Sequence, residues 1–141
     1  MNYSRRDLTL LLPALAATAA AQPGKALPSK VFVYEDLPVK KNGLNASRNV
    51  FKGETHSAFP VDLHMTELGP GQAPHPPHKH VHEELLMLRR GSLEVTISGK
   101  VTHATTGSIV YVASNEEHGW RNPSSDEHAE YFVIALGRDN S

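Results

Sequence analysis

Cysteine is absent from this chain of 141 residues. Its absence excludes a disulfide framework, a thiolate metal site and the attachment residue of a lipoprotein. Aromatic residues are scarce, at 6 %, with Trp120 the single tryptophan. Neither sign of charge is in excess, the net being −1, so no electrostatic draw toward nucleic acid or anionic lipid is expected. The body of the chain carries no basic stripe, no RNA-binding aromatic signature and no recognition helix, which removes nucleic acid as an expected partner. The length is that of a single domain able to fold on its own core.

The first twenty-one residues read as an export signal to be set aside before the fold is considered. Ser4-Arg5-Arg6-Asp7 precedes a modest apolar stretch, and Ala19-Ala20-Ala21 supplies the small residues a signal peptidase needs before Gln22. The paired arginines resemble the twin-arginine type of bacterial signal. The apolar segment at 8–21 is too short and too alanine-rich to cross a hydrocarbon core of ~30 Å, so a cleaved signal is expected rather than an anchor. The location implied is periplasmic or secreted, with no stable membrane insertion after cleavage. Residues 22–30 form a flexible lead-in containing proline and glycine.

The remainder of the chain reads as all-β. Residues 31–34 (Val-Phe-Val-Tyr) are expected to form a first strand. Residues 36–48, with Pro38, Gly43 and two asparagines, are expected to be loop. Residues 61–68 alternate apolar and polar, as a half-buried strand does. Short strands are expected at 85–88, 93–97, 101–105 and 109–112, divided by Gly91, Gly99 and Gly107. Residues 131–136 are apolar on both faces and belong at the centre of a sheet. No helix of ordinary length is legible after the signal. Many short strands with glycine turns predict a jelly roll or small barrel over 31–137, with a short tail at 138–141.

Two patterns carry chemistry. One is His78-x-His80-x3-Glu84-x6-Gly91, and the other is Gly107-x5-Ala113-x-Asn115-x2-His118-x3-Asn122. Residues two apart on a strand point the same way, so His78 and His80 can converge on one ion. On a straight strand Glu84 would lie about 20 Å from His78, far beyond metal–ligand bonds of about 2.0–2.2 Å. The chain must therefore bend between His80 and Glu84, and His118 must arrive from a separate strand. Three imidazoles and a carboxylate, with no thiolate, suit a first-row divalent ion held with open positions.

The two patterns resemble the paired motifs of the cupin superfamily, over residues 71–91 and 107–122. The opening glycine, Gly71, stands one residue early, and Ala113 and Asn115 replace the usual proline and glycine. Asparagine tolerates the left-handed turn that glycine supplies there. All four ligand positions are kept, and the spacing of Gly91 and Gly107 is similar to that of compact microbial single-domain cupins. The resemblance implies a small β-barrel, commonly dimeric, with His78, His80, Glu84 and His118 holding one divalent ion. Manganese or iron is the first expectation, with zinc, nickel, cobalt and copper as alternatives.

The remaining histidines and aromatics have plainer expectations. His82 is expected at the rim or behind the ligands rather than as a fifth one, and Glu83 on the face opposite Glu84. His75, in a proline-rich loop, is expected to be solvated, and His56, His103 and His128 to lie on the surface. Tyr111, Trp120 and Tyr131 are expected in the core or at an interface. Two residues are candidates for a catalytic role: His64, should it face the cavity, as acid or base, and Arg121, as a grip for an anionic substrate. Two function classes remain open. One is a metal-dependent enzyme on a small molecule, by oxygenase chemistry or else lyase or isomerase chemistry. The other is a module that binds or senses a metal and a small ligand without turnover. A homodimer is the expected assembly.

Overall fold

The computed structural model describes residues 26–138; the export signal expected at 1–21, the first part of the lead-in at 22–25 and the tail at 139–141 lie outside them. Nine strands succeed one another: β1 (Val39–Asn42), β2 (Asn45–Glu54), β3 (Pro60–Leu68), β4 (Glu83–Arg90), β5 (Ser92–Ile97), β6 (Lys100–Thr105), β7 (Ile109–Val112), β8 (His118–Arg121) and β9 (Ala129–Leu136). They form two antiparallel sheets, one of six strands in the order β1-β2-β3-β9-β4-β7 and one of three in the order β6-β5-β8. This is the all-β jelly roll expected. Among the described residues the one helical piece is a single 3-10 turn at Tyr34–Asp36.

Alternation along each strand decides which residues the two sheets enclose. In β4, Glu84, Leu86 and Leu88 are buried while Met87, Arg89 and Arg90 are exposed. β9, the strand apolar on both faces, sits between β3 and β4 in the middle of the larger sheet. The core between the sheets gathers Leu68, Leu86, Leu88, Leu93, Val95, Val110, Val112, Trp120, Tyr131 and Val133. Each fully buried aliphatic side chain contributes about 1.5–3 kcal/mol relative to exposure, and these contacts close the barrel. Gly91 turns the chain from β4 into β5 with φ +80°, and an added Cβ would stand 2.7 Å from the carbonyl oxygen of His128, so no side chain is admitted.

Two expectations are corrected. Residues 31–33 form no strand, and the chain turns at Tyr34–Asp36. This segment joins no ladder and lies against the sheet through its side chains. Phe32 packs on Phe51 with ring centroids 5.6 Å apart, and Tyr34 lies beneath the guanidinium groups of Arg48 and Arg89. The second correction is the loop expected at 36–48, which is instead a hairpin of β1 and β2. Asn42 pairs with Asn45 across Gly43-Leu44, and Gly43 takes φ +59°, the left-handed start that a two-residue hairpin loop demands. The Asn-Gly signal was present in the sequence, but the lysines and asparagines around it masked the strands. Within the lead-in, Leu27 donates its N–H to the Glu54 carbonyl (2.9 Å) and covers Gly53.

Candidate metal centre

His78 and His118 face one another as an isolated antiparallel bridge, exchanging both backbone hydrogen bonds at 2.9 Å. Opposed residues of such a pair direct their side chains to the same side. His118 opens β8, which pairs with Ile97 of β5 on its other edge. The chain then bends at Val81 and His82 before β4 begins at Glu83, so Glu84 comes from the next strand, as the spacing required. Asn115 stabilises the approach to His118. It adopts φ +60°, as glycine would, and its N–H donates to the His80 carbonyl at 2.7 Å.

The three rings surround a common point. Centroid separations are 5.1 Å for His78 and His80, 4.7 Å for His78 and His118, and 4.8 Å for His80 and His118. One nitrogen of each ring lies within 4.8 Å of the others. Glu84 closes the fourth side: its Oε1 is 3.4 Å from His80 Nε2 and its Oε2 is 3.5 Å from His118 Nε2. Donors bonded at about 2.0–2.2 Å to one ion stand about 3–3.6 Å from each other, a spacing the two Glu84–imidazole contacts meet.

Protonation is set by the neighbours. His80 Nδ1 lies 2.8 Å from the His82 carbonyl and His118 Nδ1 lies 2.8 Å from the Glu116 carbonyl. A carbonyl only accepts, so both Nδ1 atoms carry the proton and both Nε2 atoms present lone pairs. His118 and Glu84 are buried. His78 Nδ1, His80 Nε2, His118 Nε2 and Glu84 Oε2 have no hydrogen-bond partner. Lone pairs directed at one another in a dry place repel unless a proton or a cation lies between them. Burial, then the neighbouring His75, His118 and His80, hold the His78 pKa below its ordinary 6.5, while Glu84 opposes them. The ring is thus neutral near pH 7, as a metal ligand must be. The residues present fit a divalent ion.

A motif residue whose role the sequence left unread is Asn122. It is completely buried and its Nδ2 donates to the carbonyls of Leu68, Gly69 and Glu127 at 3.2, 3.1 and 2.7 Å, while its Oδ1 accepts from the Ser124 N–H at 3.0 Å. It ties the end of β3 and the β8–β9 connection together behind the site. Trp120, stacked on His118 at 5.7 Å, donates Nε1–H to the Tyr131 hydroxyl at 2.8 Å. Both aromatics are core, whereas Tyr111 is 56 % exposed.

The catalytic candidates separate. His64 belongs to the inner face of β3: it lines, with Asp62, His82 and Glu84, a cavity of about 540 Å³ whose rim carries Lys52 and Arg138. Asp62, Ala135 and Glu84 form one row across β3, β9 and β4, and the small Ala135 leaves room between the two carboxylates. Arg121 is corrected. It stands one residue past Trp120, on the face of β8 opposite His118 and Trp120, and is ion-paired with Glu94, so its charge is directed away from the cavity. His82, expected at the rim or behind the ligands, lies against them: its ring stacks on His80 at 3.6 Å and its Nε2 is 3.4 Å from Glu84 Oε1. His75 is exposed, yet its ring meets His78 edge-on at 4.2 Å. His103 and His128 are surface residues beside Glu94 and Glu67. A larger hollow of about 620 Å³ between β5, β6 and β7 does not reach the histidines of the centre.

Comparison with known proteins gives the same fold. No curated protein matches the sequence. Among solved structures, a RmlC-like cupin from Shewanella frigidimarina superposes with a TM-score of 0.67 at 15 % identity, over 80 % of this chain and 95 % of that one. The polyketide cyclase RemF from Streptomyces resistomycificus gives 0.65 at 16 % identity, over 81 % and 83 % of the two chains. A structure described as a predicted oxalate decarboxylase from Thermotoga maritima gives 0.65 at 15 % identity, over 77 % of this chain and 100 % of that one. At such identities the likeness is one of fold. The sequence itself matches the family model of the cupin domain over residues 64–135, a span that begins at His64 and holds all four proposed ligands, and on that match the chain belongs to the cupin family.

Proposed function

We propose that this chain is an exported, metal-dependent enzyme acting on a small molecule by oxygenase-type chemistry at a centre made of His78, His80, Glu84 and His118. One observation carries the reading: two carbonyl-fixed imidazoles turn their free Nε2 lone pairs toward the two oxygens of a buried carboxylate, 3.4 and 3.5 Å away, at the wall of an open cavity. Imidazole and carboxylate without thiolate suit a first-row divalent ion; manganese or iron is the first choice for a cupin, with zinc, nickel, cobalt and copper as competitors. When bound, such an ion supplies Lewis acidity and, as manganese or iron, redox chemistry.

The chain's own residues supply the rest. The cavity, of about 540 Å³, has room for a small molecule. His64, with Nδ1 3.7 Å from Asp62 Oδ1, can hold or release a proton at Nε2 in the cavity it shares with Glu84, and the Asp62 carboxylate orients the ring for that task. The same residue would serve lyase or isomerase chemistry. Related folds carry differently named activities, so the fold does not choose the reaction. The paired-arginine segment supports export and a periplasmic or secreted location. A second copy is the assembly partner we favour, seated on the outer face of the larger sheet where Met87, Ile109 and Tyr111 are exposed. Ile109→Asp should then shift the protein to a monomer in sedimentation, and an unchanged dimer would place the contact elsewhere.

The test is elemental analysis of the natively exported protein, with oxygen uptake measured on a phenol and on a β-diketone. Manganese or iron with uptake supports the proposal. Zinc without turnover of either class points to a holding or sensing module instead. His80→Ala should lose stoichiometric metal while the β-rich circular dichroism persists; full retention of metal rejects the ligand assignment.

A further inference from the structure

Resting on the metal-centre reading, we propose that His82 is a positioning residue: it holds one oxygen of Glu84 so that the carboxylate binds the ion through the other oxygen alone, which keeps a coordination position open.

Two overlapping groups of donors lie in this corner, His78/His80/His118 and His80/His82/Glu84. The second group invites His82 as a fifth ligand or as part of a second metal site. Ring geometry excludes both. The His80 and His82 rings are 3.6 Å apart and within 7° of parallel. An imidazole lone pair lies in the plane of its ring, so two stacked rings do not converge on one ion. An ion midway would sit about 1.8 Å out of each plane, against bonds of about 2.0–2.1 Å that need to be in plane.

The contact of His82 with Glu84 is of another kind. Oε1 is 3.4 Å from the Nε2 of both His80 and His82, whereas Oε2 is 3.5 Å from His118 Nε2. His80 has no proton to offer there, because its proton is on Nδ1, donated to the His82 carbonyl. His82 Nε2–H is the donor left for Oε1. The pair is dry, with side chains 13 % and 11 % exposed, so a charge-assisted hydrogen bond there is strong once a small rotation of the carboxylate shortens it. The two histidines thus have complementary tasks. His80 is aligned by the backbone of His82, and Glu84 by its side chain. A ligand set of three imidazoles and one carboxylate oxygen leaves two of six octahedral positions open; a carboxylate using both oxygens leaves one.

Water-proton relaxation of the Mn(II)-loaded protein counts exchangeable waters on the ion. Three variants separate the possibilities. His82→Phe keeps the stack on His80 and removes the donor; His82→Gln removes the ring and keeps a donor; His118→Ala deletes a ligand. The expectation is that His82→Phe halves the relaxation enhancement per bound Mn(II) and that His82→Gln restores it toward the parent value. Equal enhancement in the parent and His82→Phe overturns the proposal. So do two ions per parent chain falling to one in His82→Phe, which would make His82 a ligand. Stoichiometric Mn(II) in His118→Ala would instead remove the metal-centre reading beneath it.

Discussion

The two ends of this barrel are built on the same strands and differ in how completely they satisfy themselves. Along the inner face of β3, Asp62 and His64 at one end give way to Thr66 and Leu68 at the other; along β4, Glu84 gives way to Leu86 and Leu88. At the apolar end Leu68, Leu86, Leu88 and Leu93 are at most 3 % exposed, and the buried Asn122 beside them has hydrogen bonds for both side-chain atoms. At the polar end buried nitrogens and a carboxylate oxygen face one another without partners. One end is packed to hold the fold, and the other is held in an arrangement that apolar packing alone would not choose. A barrel can carry the second because the first is so well made.

That contrast can be broken from the packed side first. Leu88→Ala should cost about 2–5 kcal/mol in denaturant unfolding, because the closed core leaves a cavity behind. A cost below about 1 kcal/mol would mean the far end is loosely packed. Next in size is the alkaline response of Tyr131. Burial pushes its pKa up to about 12, with hydrogen bonds to Trp120 and Thr66 opposing the shift. The unfolded chain therefore loses the proton near pH 10 while the native chain retains it. Stability is complete below pH 10 and falls by roughly 2–3 kcal/mol as the pH rises toward 12. Tyr131→Phe should flatten that part of the pH–stability curve, and an unchanged slope would assign it to other groups.

Smaller effects sharpen the comparison. Asn122→Ala removes hydrogen bonds to three carbonyls and from one N–H, at a cost of about 1–3 kcal/mol. Metal-free Glu84→Gln should be within about 1 kcal/mol of the parent, since it removes a buried charge while the amide oxygen can still accept from His82; metal affinity drops at least tenfold. Marked destabilisation of that metal-free variant would show the carboxylate to be a structural residue. Smallest of all is Arg138→Ala, which deletes an exposed pair with Glu54 at 3.3 Å and should change stability by less than about 1 kcal/mol.

Legibility divides along the same line. β3 announces itself by alternation, since burial of one face imposes a period of two, β4 through β7 by short strand-forming runs between glycines, and β9 by being apolar on both faces. The hairpin of β1 and β2 was overlooked because it is polar, with all of β1 exposed, and only the Asn-Gly step marked it. Residues 31–34 carried strand-forming side chains but pack through them, Phe32 on Phe51 and Tyr34 against Arg48 and Arg89, without joining a ladder. At the centre, the bend between His80 and Glu84 was deducible from reach alone. The direction of His82 was not, because two residues inside a bend have no parity to argue from.

By itself the sequence determined the architecture, the four donors and the type of ion they suit, since period, reach and ligand chemistry are local properties. Only the tertiary structure decided which oxygen of Glu84 faces which imidazole, that His64 enters the cavity and Arg121 leaves it, and that His82 stacks on His80. Those outcomes depend on the register of β3, β9 and β4 and on the turn before β4, which join residues far apart in the chain and have no signature in any one segment.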